Sequence, residues 1–395
     1  MTYSESATAG VYLHIPFCST KCSYCDFASW PCRQDIFYPY GHALVRQIDL
    51  AASTWQGPPL DTLYVGGGTP TVLPTDLLVT IISQCLVALS VGPNAEVTCE
   101  ANPGTVSGPM LAALAEVGVN RLSLGAQSMQ DDELALLGRI HRQEAVREAV
   151  QLARGAGIAN ISLDLIYGLP GQTPARWRHN LEQALALAPE HLSLYALTLE
   201  PGTPLAREVT LGRLPAPDDD CVADMYLAAQ TMLAEQGYVQ YEISNWALGQ
   251  PDDQHDGVPR LASRHNLHYW RNEQYLGLGC AAYSFDGRHR FGSCHDPDVY
   301  IQRVTAGEDV REDDELISPS LEMDETMMLG LRLVTGVRHM DFAKRFDASP
   351  NEVYRYEIRR LQEDGLLTVD RVGIRLAPHA LLVANRVMAE FLRDR

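Results

Sequence analysis

Short β-prone runs alternate with helix-like segments along the first two hundred residues. Each run ends at a polar or glycine-rich corner, and the segments between runs include the helical stretches 75–89 and 143–157. The runs are VYLHIPF, LYVGGGTP, EVTCEANP, RLSLGAQS, ISLDLIYGLP and HLSLYALTLEP. Strands that alternate with helices favour parallel strands joined by right-handed crossovers. Six such units predict an α/β fold built on a partial (β/α)6 barrel, rather than a full eight-stranded one.

The alternation weakens after residue 205 and changes character near the C-terminus. Strand-like pieces occur at QYEISNW and GLGCAAYSF, and the Asp-, Gly- and Pro-rich segment 248–263 is typical of an exposed loop. Near the end, helices around 321–334, 340–346 and 351–363 precede a hairpin of LLTVD and GIRLAP and a final helix. We predict a barrel over residues 1–240, an extension over 241–310 and a winged-helix-like domain, acting as a packing module, over 311–395.

Composition narrows the classes of function. The formal charge of -19 argues against nucleic-acid binding, which needs an excess of Lys and Arg to neutralise phosphates. The N-terminal MTYSESATAG has no basic or apolar run typical of an export signal, and no apolar stretch is long enough to span a membrane. Nine cysteines, an odd number, fit reduced thiols, some of them metal ligands. We therefore expect a cytoplasmic protein without a transmembrane segment.

Polar side chains stand where several predicted strands end. Glu100, Gln127 and Asp164 each lie at or near the C-terminal end of a β-prone run, among apolar residues. In barrels of this kind the C-terminal face carries the active site. Such residues also cap turns, but three of them in register with a cysteine loop and a glycine loop favour a functional site.

The most informative stretch is CSTKCSYC, which contains Cys18, Cys22 and Cys25 in a C-x3-C-x2-C pattern. Soft thiolates at short spacing suit zinc or an iron–sulfur cluster. A tetrahedral zinc would need a fourth ligand, for which His14 and Cys32 are candidates. A cubane cluster with three protein ligands would instead keep one iron open to another molecule.

This motif resembles that of the radical S-adenosylmethionine (SAM) superfamily. The resemblance implies that Cys18, Cys22 and Cys25 bind a [4Fe-4S] cluster whose open iron chelates SAM. It also implies that the glycine stretch GGGTP contacts the amino group of SAM, although such a stretch is also a common strand-to-helix turn. The further SAM contacts implied are Tyr12, Gly67, Gly68, Thr69, Glu100, Gln127, Arg139 and Asp164.

The order of motifs narrows the resemblance to one branch. YLHIPFC, GGGTPT, EANPGT, RLSLGAQS, LGRIH, LDLIYGLPGQT, YEISN and HNLHYW occur in this order between residues 12 and 270. The series is similar to the HemW family of haem chaperones, once grouped with the oxygen-independent coproporphyrinogen III oxidases (HemN). HemN-type enzymes carry another cysteine two residues after the third, where this chain has Phe27. The resemblance implies haem as cargo, an apo-haemoprotein acceptor, a flavodoxin-type electron donor and a dimer.

The HNLHYW motif and two departures concern the cargo. His265 is a candidate axial haem ligand, since histidine commonly ligates haem iron. The alternative is that the motif forms a loop locked against the barrel, with His265 in a structural hydrogen bond. Relatives carry a glycine-alanine-histidine-serine run where this chain has Tyr283, which we expect to alter the wall of the substrate cavity. Residues 250–261 resemble an insertion.

Three functions stay open at the sequence level. The first is a haem chaperone, which the HNLHYW signature and the absent fourth cysteine favour. The second is coproporphyrinogen III dehydrogenase, a radical SAM enzyme of oxidative decarboxylation, against which Phe27 counts. The third is a HemN-like radical SAM methyltransferase that acts on an aromatic substrate with two SAM molecules. The product masses obtained with porphyrin substrates separate the two enzymes from the carrier.

Overall fold

The alternating runs of the first half form strands and helices of a partial barrel. The structure, a computed structural model, describes residues 8–31, 33–249, 254–255 and 257–393. Its first elements are β1 (Ala9–Ile15), β2 (Phe17–Cys18), β3 (Trp30–Pro31), α1 (Phe37–Thr54), β4 (Leu60–Gly67), α2 (Thr75–Ala88), β5 (Glu96–Ala101), α3 (Gly108–Glu116), β6 (Arg121–Gln127), α4 (Asp131–Leu136), α5 (Gln143–Gly155), β7 (Asn160–Tyr167), α6 (Pro174–Leu185) and β8 (His191–Ala196). The six predicted runs are β1 and β4 to β8.

These six strands pair in chain order, and every pair is parallel. Parallel strands are covered on both faces, which explains their nearly continuous apolar runs. Val11, Leu63, Leu122 and Leu163, for example, have no exposed surface. The partial (β/α)6 barrel predicted from the alternation is confirmed.

Strands from the second half of the chain extend the same sheet at both ends. The elements are α7 (Pro204–Thr210), α8 (Asp219–Glu235), β9 (Tyr238–Glu242), β10 (Asn245–Leu248), β11 (Gln254–His255), β12 (Val258–Pro259), α9 (Arg264–Trp270), β13 (Tyr275–Leu278), β14 (Tyr283–Phe285), β15 (His289–Ser293), α10 (Pro297–Ala306) and β16 (Arg311–Leu316). The twelve-stranded order is β16-β15-β14-β13-β1-β4-β5-β6-β7-β8-β10-β9. Much of the predicted extension over 241–310 thus continues the barrel sheet, while the three-part division stays a prediction.

Two expectations about loops need correction. The described part of segment 248–263 is not exposed throughout, since Val258 and Ala262 are buried in a cluster with Tyr241 and Leu267; its residues 250–253 and 256 lie outside the described residues. The HNLHYW motif is not a loop either, because it forms the helix α9. The hydroxyl oxygen of Ser263 accepts a hydrogen bond from the backbone N–H of Asn266 (3.3 Å) and so caps the first turn.

The C-terminal region has its own core. It comprises α11 (Pro319–Gly330), β17 (Val337–Arg338), α12 (His339–Phe346), α13 (Pro350–Val353), α14 (Arg355–Glu363), β18 (Leu367–Val369), β19 (Gly373–Leu376) and α15 (Ala384–Ala389). Met327, Phe342, Tyr354 and Ile374 are buried together, and β18 and β19 form the predicted antiparallel hairpin. The helical winged-helix-like domain is confirmed. Within the described residues, no helix combines the length and apolar character needed to cross a membrane.

Candidate functional site

The cysteine loop joins β2 to β3, and hydrogen bonds from residues outside the loop hold it in place. The backbone N–H of Ser23 donates to the carbonyl oxygen of Leu137 (3.1 Å), and its hydroxyl donates to that of Leu136 (3.0 Å). The backbone N–H of Leu205, near the start of α7, donates to the carbonyl oxygen of Ser23 (2.8 Å). Two elements distant in sequence therefore fix the middle of the loop.

The three thiols fit an iron–sulfur cluster. Cys18, Cys22 and Cys25 are partly buried, and none is in a disulfide. Burial raises the pKa of Cys18 and Cys25, and a negative charge on Cys22 would raise each pKa further. Among the described residues, no group of His, Cys, Asp or Glu converges to hold a single metal ion. A cluster does not require such convergence, because each thiolate binds a different iron.

Of the two candidate fourth ligands for zinc, only His14 lies within the described residues. His14 is buried, and its Nε2 donates to the carbonyl oxygen of Ala28 (2.9 Å). The neutral ring has one N–H, so its Nδ1 accepts from the Tyr12 hydroxyl (3.0 Å). Burial lowers the pKa of His14 to about 4, which keeps the ring neutral. Both ring nitrogens are thus engaged with protein groups. Cys32 lies outside the described residues.

The glycine loop passes very close to the strand that leads into the cysteine loop. The backbone N–H groups of Gly68 and Thr69 donate to the carbonyl oxygens of Ile15 (2.8 Å) and Phe17 (2.7 Å). A Cβ atom on Gly68 would lie 2.5 Å from the Phe17 oxygen. Gly67 has a φ of 110°, a conformation that side chains disfavour. Only glycine fits at these two positions.

We expect Gly68→Ala to destabilise the fold by about 1–3 kcal/mol, because its Cβ would meet backbone that cannot rotate away. Thermal unfolding of the purified protein measures the change. The matched control is Gly155→Ala, at the end of α5, where a Cβ meets no atom within 4 Å. An equal melting temperature for Gly68→Ala and Gly155→Ala would contradict the close approach.

A hydrogen-bond chain connects two of the cysteines across the strand ends. The Thr69 hydroxyl donates to Cys18 Sγ (3.7 Å), and Asn102 Nδ2 donates to Thr69 Oγ1 (2.8 Å). Arg139 donates through Nη2 to Asn102 Oδ1 and through Nη1 to Cys22 Sγ (3.4 Å). Sequence analysis missed Asn102, although its place directly after β5, in the same EANP run as Glu100, was a signal. This series of hydrogen bonds fixes the position of the cysteine loop relative to the glycine loop.

Gln127 ends β6 beside this chain. Its φ of 64° turns the backbone at the strand end. Its side-chain Nε2 and the Arg139 Nη2 atom lie 3.0 and 3.3 Å from the position of a Cβ on Gly125. Arg139 also donates to the Gly125 carbonyl oxygen (2.7 Å). Gln127 and Arg139 are therefore neighbours at one edge of the sheet.

Two partly buried carboxylates lie deeper in the barrel. Glu100 accepts hydrogen bonds from the Tyr64 hydroxyl (2.7 Å) and the Gly67 backbone N–H (3.2 Å). Burial raises the pKa of Glu100 to about 7, and the nearby charge of Asp164 contributes. Asp164 accepts from the hydroxyls of Ser123 (3.0 Å) and Ser162 (3.2 Å), and burial raises its pKa too. The carboxyl of Glu100 therefore titrates near pH 7, and both carboxylates accept hydrogen bonds from neutral donors.

A cavity of about 310 Å³ lies between the barrel strands and α9. Glu100 is in its wall, together with six ring side chains: Tyr12, Tyr64, Tyr195, His265, Tyr269 and Trp270. The rings of Tyr64 and His265 stack with centroids 5.1 Å apart. The other lining residues are polar or charged, so the cavity suits a ligand that combines a flat ring with polar groups. Tyr283, expected in this wall, lies outside it, and its exposed hydroxyl donates to Asp313 (3.1 Å).

His265 faces the cavity wall but already has two partners. Its Nδ1 is 2.8 Å from Thr62 Oγ1, and its Nε2 is 3.0 Å from the Tyr269 hydroxyl oxygen. Burial lowers its pKa to about 3. This arrangement favours the structural role that the sequence left open, since binding of iron would break one of the two hydrogen bonds.

His268 anchors α9 rather than the cavity. Its ring nitrogens lie 2.8 Å from Asp61 and 2.6 Å from Glu273. Burial lowers the pKa of His268, but hydrogen bonds and charge from the two carboxylates outweigh it and raise the pKa to about 9. The helix is thereby tied to β4 through Asp61.

The predicted site residues form two connected groups. Thr69 and Arg139 contact the cysteine loop, with Gln127 beside Arg139, whereas Tyr12, Glu100 and His265 border the cavity. Gly67 joins the groups through its hydrogen bond to Glu100. Asp164 lies deeper and influences Glu100 by its charge.

Comparisons with known proteins match nearly the whole length of the chain. Models of the radical SAM superfamily and of the HemN C-terminal domain match residues 12–184 and 317–383. The chain is 36% identical over 385 residues to the heme chaperone HemW of Bacillus subtilis, covering 97% of this chain and 99% of that protein. It is 32% identical to the heme chaperone HemW of Escherichia coli, covering 97% and 98%. The radical SAM enzyme coproporphyrinogen III oxidase (HemN) of E. coli has a TM-score of 0.83 at 23% identity, covering 98% and 90%, which shows the fold.

Proposed function

Since the chain belongs to the HemW family of the radical SAM superfamily, we propose that it is a haem chaperone, which binds a [4Fe-4S] cluster, SAM and haem and delivers the haem to an apo-haemoprotein. The observation that carries this proposal is the full-length similarity to relatives named heme chaperone HemW. The cavity lined by six ring side chains supports it.

The proposal assigns the cluster and SAM to the edge of the barrel. Cys18, Cys22 and Cys25 hold the cluster as thiolates, which must lose their protons on binding. When bound, the cluster supplies an electron and an open coordination position for SAM. The glycine loop, Glu100, Gln127, Arg139 and Asp164 hold SAM through backbone groups and charge-assisted hydrogen bonds. Tyr12 closes this site toward the cavity.

The cargo and its surroundings complete the proposal. Haem enters the cavity with its ring against the tyrosine and tryptophan side chains, and the acceptor is an apo-haemoprotein. The free thiols among the described cysteines support a reducing compartment, for which we propose the cytoplasm. The flavodoxin-type electron donor and the dimer stay predictions from the family resemblance.

The test compares the carrier with the enzyme in one preparation. The protein is reconstituted anaerobically with its cluster, then given haem or coproporphyrinogen III in separate reactions with SAM and a reductant. We expect stoichiometric haem uptake, measured by the Soret band, and no decarboxylated porphyrin by mass spectrometry. Haem transfer is followed by the appearance of the Soret band of an added apo-haemoprotein.

Two results would overturn the chaperone function. Turnover to decarboxylated porphyrin would make the protein a coproporphyrinogen III dehydrogenase despite Phe27, and a mass gain of one methyl group on an aromatic substrate would make it a methyltransferase. The variant His265→Ala reports separately on the iron ligand. Loss of the Soret band in that variant would assign His265 to the haem iron, whereas a retained band would leave it with its structural role.

A further inference from the structure

One corner of the cavity contains an arginine from the C-terminal region beside residues of the barrel sheet and α9. Arg332 follows α11 and lines the cavity with Glu242, Asn245 and Trp270. This part of the chain is docked on β9, because the backbone N–H of Val334 donates to the Tyr241 carbonyl oxygen (3.0 Å). This main-chain hydrogen bond, two residues after Arg332, holds Arg332 at the cavity.

The carboxylate of Glu242 is already saturated with donors. It has no exposed surface, and burial raises its pKa. It accepts hydrogen bonds from the Ser244 backbone N–H (3.0 Å), from Asn245 Nδ2, and from Arg332 Nη2 (3.2 Å). Glu242 therefore orients Arg332 and Asn245 without occupying all their hydrogen-bonding capacity.

Three buried polar atoms in this corner have no hydrogen-bond partner within the described part of the chain. They are the donors Arg332 Nε and Trp270 Nε1 and the acceptor Asn245 Oδ1. Buried polar atoms are nearly always paired, so three unpaired atoms in residues that line one cavity distinguish this corner from the rest of the wall. The Arg332 guanidinium lies over the Trp270 ring, with Cζ 4.3 Å from the ring centroid. This stacking fixes the Arg332 and Trp270 side chains against each other in the cavity wall.

We propose that Arg332 and Trp270 bind a carboxylate group of the porphyrin cargo, while its ring lies against the aromatic wall of the cavity. This assignment rests on the haem-carrying function proposed above. Two neighbouring N–H donors match the two oxygens of one carboxylate. A water molecule between that carboxylate and Asn245 Oδ1 would satisfy the orphan acceptor. The buried Glu242 disfavours a more highly charged anion such as a phosphate in the same corner.

The porphyrin propionates are the source of this carboxylate to which we commit. SAM also carries a carboxylate, but its predicted contacts are at the glycine loop and the Arg139 chain, on the cysteine-loop side of Glu100. Arg332 has no contact with that chain among the described residues, and it lines only the cavity. A ligand that fills the cavity between Glu100 and Arg332 would place its carboxylate away from the cluster loop.

The test uses haem and its dimethyl ester, in which both carboxylates are blocked. Apparent dissociation constants are measured by Soret titration of the cluster-loaded protein. We expect the wild type to bind haem about 10- to 100-fold more tightly than the ester, since charge-assisted hydrogen bonds are lost. Arg332→Gln should remove this preference, so that haem and the ester bind with similar affinities. Trp270→Phe, which keeps the ring and removes one donor, should reduce the preference about 3- to 10-fold.

The matched control is Arg345→Gln. Arg345 pairs with Glu322 (2.7 Å) and lies over the Phe346 ring in the same C-terminal region, but it does not line the cavity. We expect it to keep the full preference for haem. Trp270→Phe decides the case where Arg332→Gln fails to fold.

Each other outcome overturns something specific. Equal affinity of the wild type for haem and ester would overturn the carboxylate site and keep the chaperone function. Binding of neither would overturn the chaperone function and this assignment with it. Loss of SAM affinity in Arg332→Gln, measured by calorimetry, with an unchanged preference for haem would transfer the carboxylate to SAM.

Discussion

Replacing Cys18 with alanine is expected to abolish cluster binding. In the proposed site each of the three thiolates binds a different iron, so the loss of one would leave a second iron without its protein ligand. The measurement is the broad visible absorption of the reconstituted protein, with iron and sulfide content per chain. We expect no retained cluster in Cys18→Ala, Cys22→Ala or Cys25→Ala. The loop itself should persist, because Ser23 fixes it through backbone contacts.

The control for this series is Cys221→Ala. Cys221 is a partly buried free thiol on α8, outside the cysteine loop. It should retain the full iron content, and so should Cys32→Ala if the cluster has three protein ligands. An intact cluster in Cys18→Ala would show that the ligand assignment is wrong. Zinc in place of iron, together with its loss in Cys32→Ala, would instead support the zinc alternative.

The sequence predicts the barrel well because its strands are buried on both faces. Runs such as VYLHIPF and ISLDLIYGLP contain too many apolar residues for a half-exposed strand, and they alternate with helices. The glycine and cysteine motifs lie at strand ends, so the barrel topology alone brings them to one edge. This part of the site depends on local patterns that a single sequence contains.

The parts that the sequence does not predict depend on contacts between distant segments. Arg139 reaches Cys22 across 117 residues, and no local pattern pairs the two. The antiparallel additions β10 and β14 to β16 are short strands whose position in the barrel sheet is set by tertiary pairing. The position of Arg332 in the cavity wall could not be predicted for the same reason, since an arginine that follows a helix is most often exposed to solvent.

The motif HNLHYW shows a different kind of miss. It is too short for a helical period, and its residues have modest helix propensity. The cap at Ser263 and the anchoring of His268 between Asp61 and Glu273 stabilise α9 from outside the motif. Its two histidines consequently have separate surroundings, one neutral beside the cavity and one charged beneath the helix.

We expect SAM affinity to increase from pH 6 to pH 8 and to depend on Glu100. Burial raises the pKa of Glu100 to about 7, so its carboxyl is largely protonated at pH 6. A cationic group of SAM binds best to the ionised carboxylate, so below pH 7 binding must first displace a proton. The affinity should fall by up to about tenfold per pH unit there and level off above pH 7. Calorimetric titration of the cluster-loaded protein without reductant, which leaves SAM intact, measures this profile.

The titratable neighbours of Glu100 indicate which variants test this assignment. His265, with a pKa lowered to about 3, and Tyr12, Tyr64 and Tyr195, with raised pKa values, stay neutral across this range. Asp164 is the other buried carboxylate whose charge acts on Glu100. Glu100→Gln should therefore flatten the profile and weaken SAM binding about 10- to 100-fold at pH 8.

The matched variant Asp164→Asn separates the two carboxylates. It should weaken SAM binding and move the rise to lower pH without abolishing it, because Glu100 still titrates, at a pKa closer to its ordinary value once the neighbouring charge is removed. A profile that survives in Glu100→Gln and disappears in Asp164→Asn would move the titrating group to Asp164. An affinity that is independent of pH in the wild type would mean that the cationic group of SAM does not bind at Glu100. The hydrogen bonds of Glu100 with Tyr64 and Gly67 would then serve only to join the glycine loop to β5.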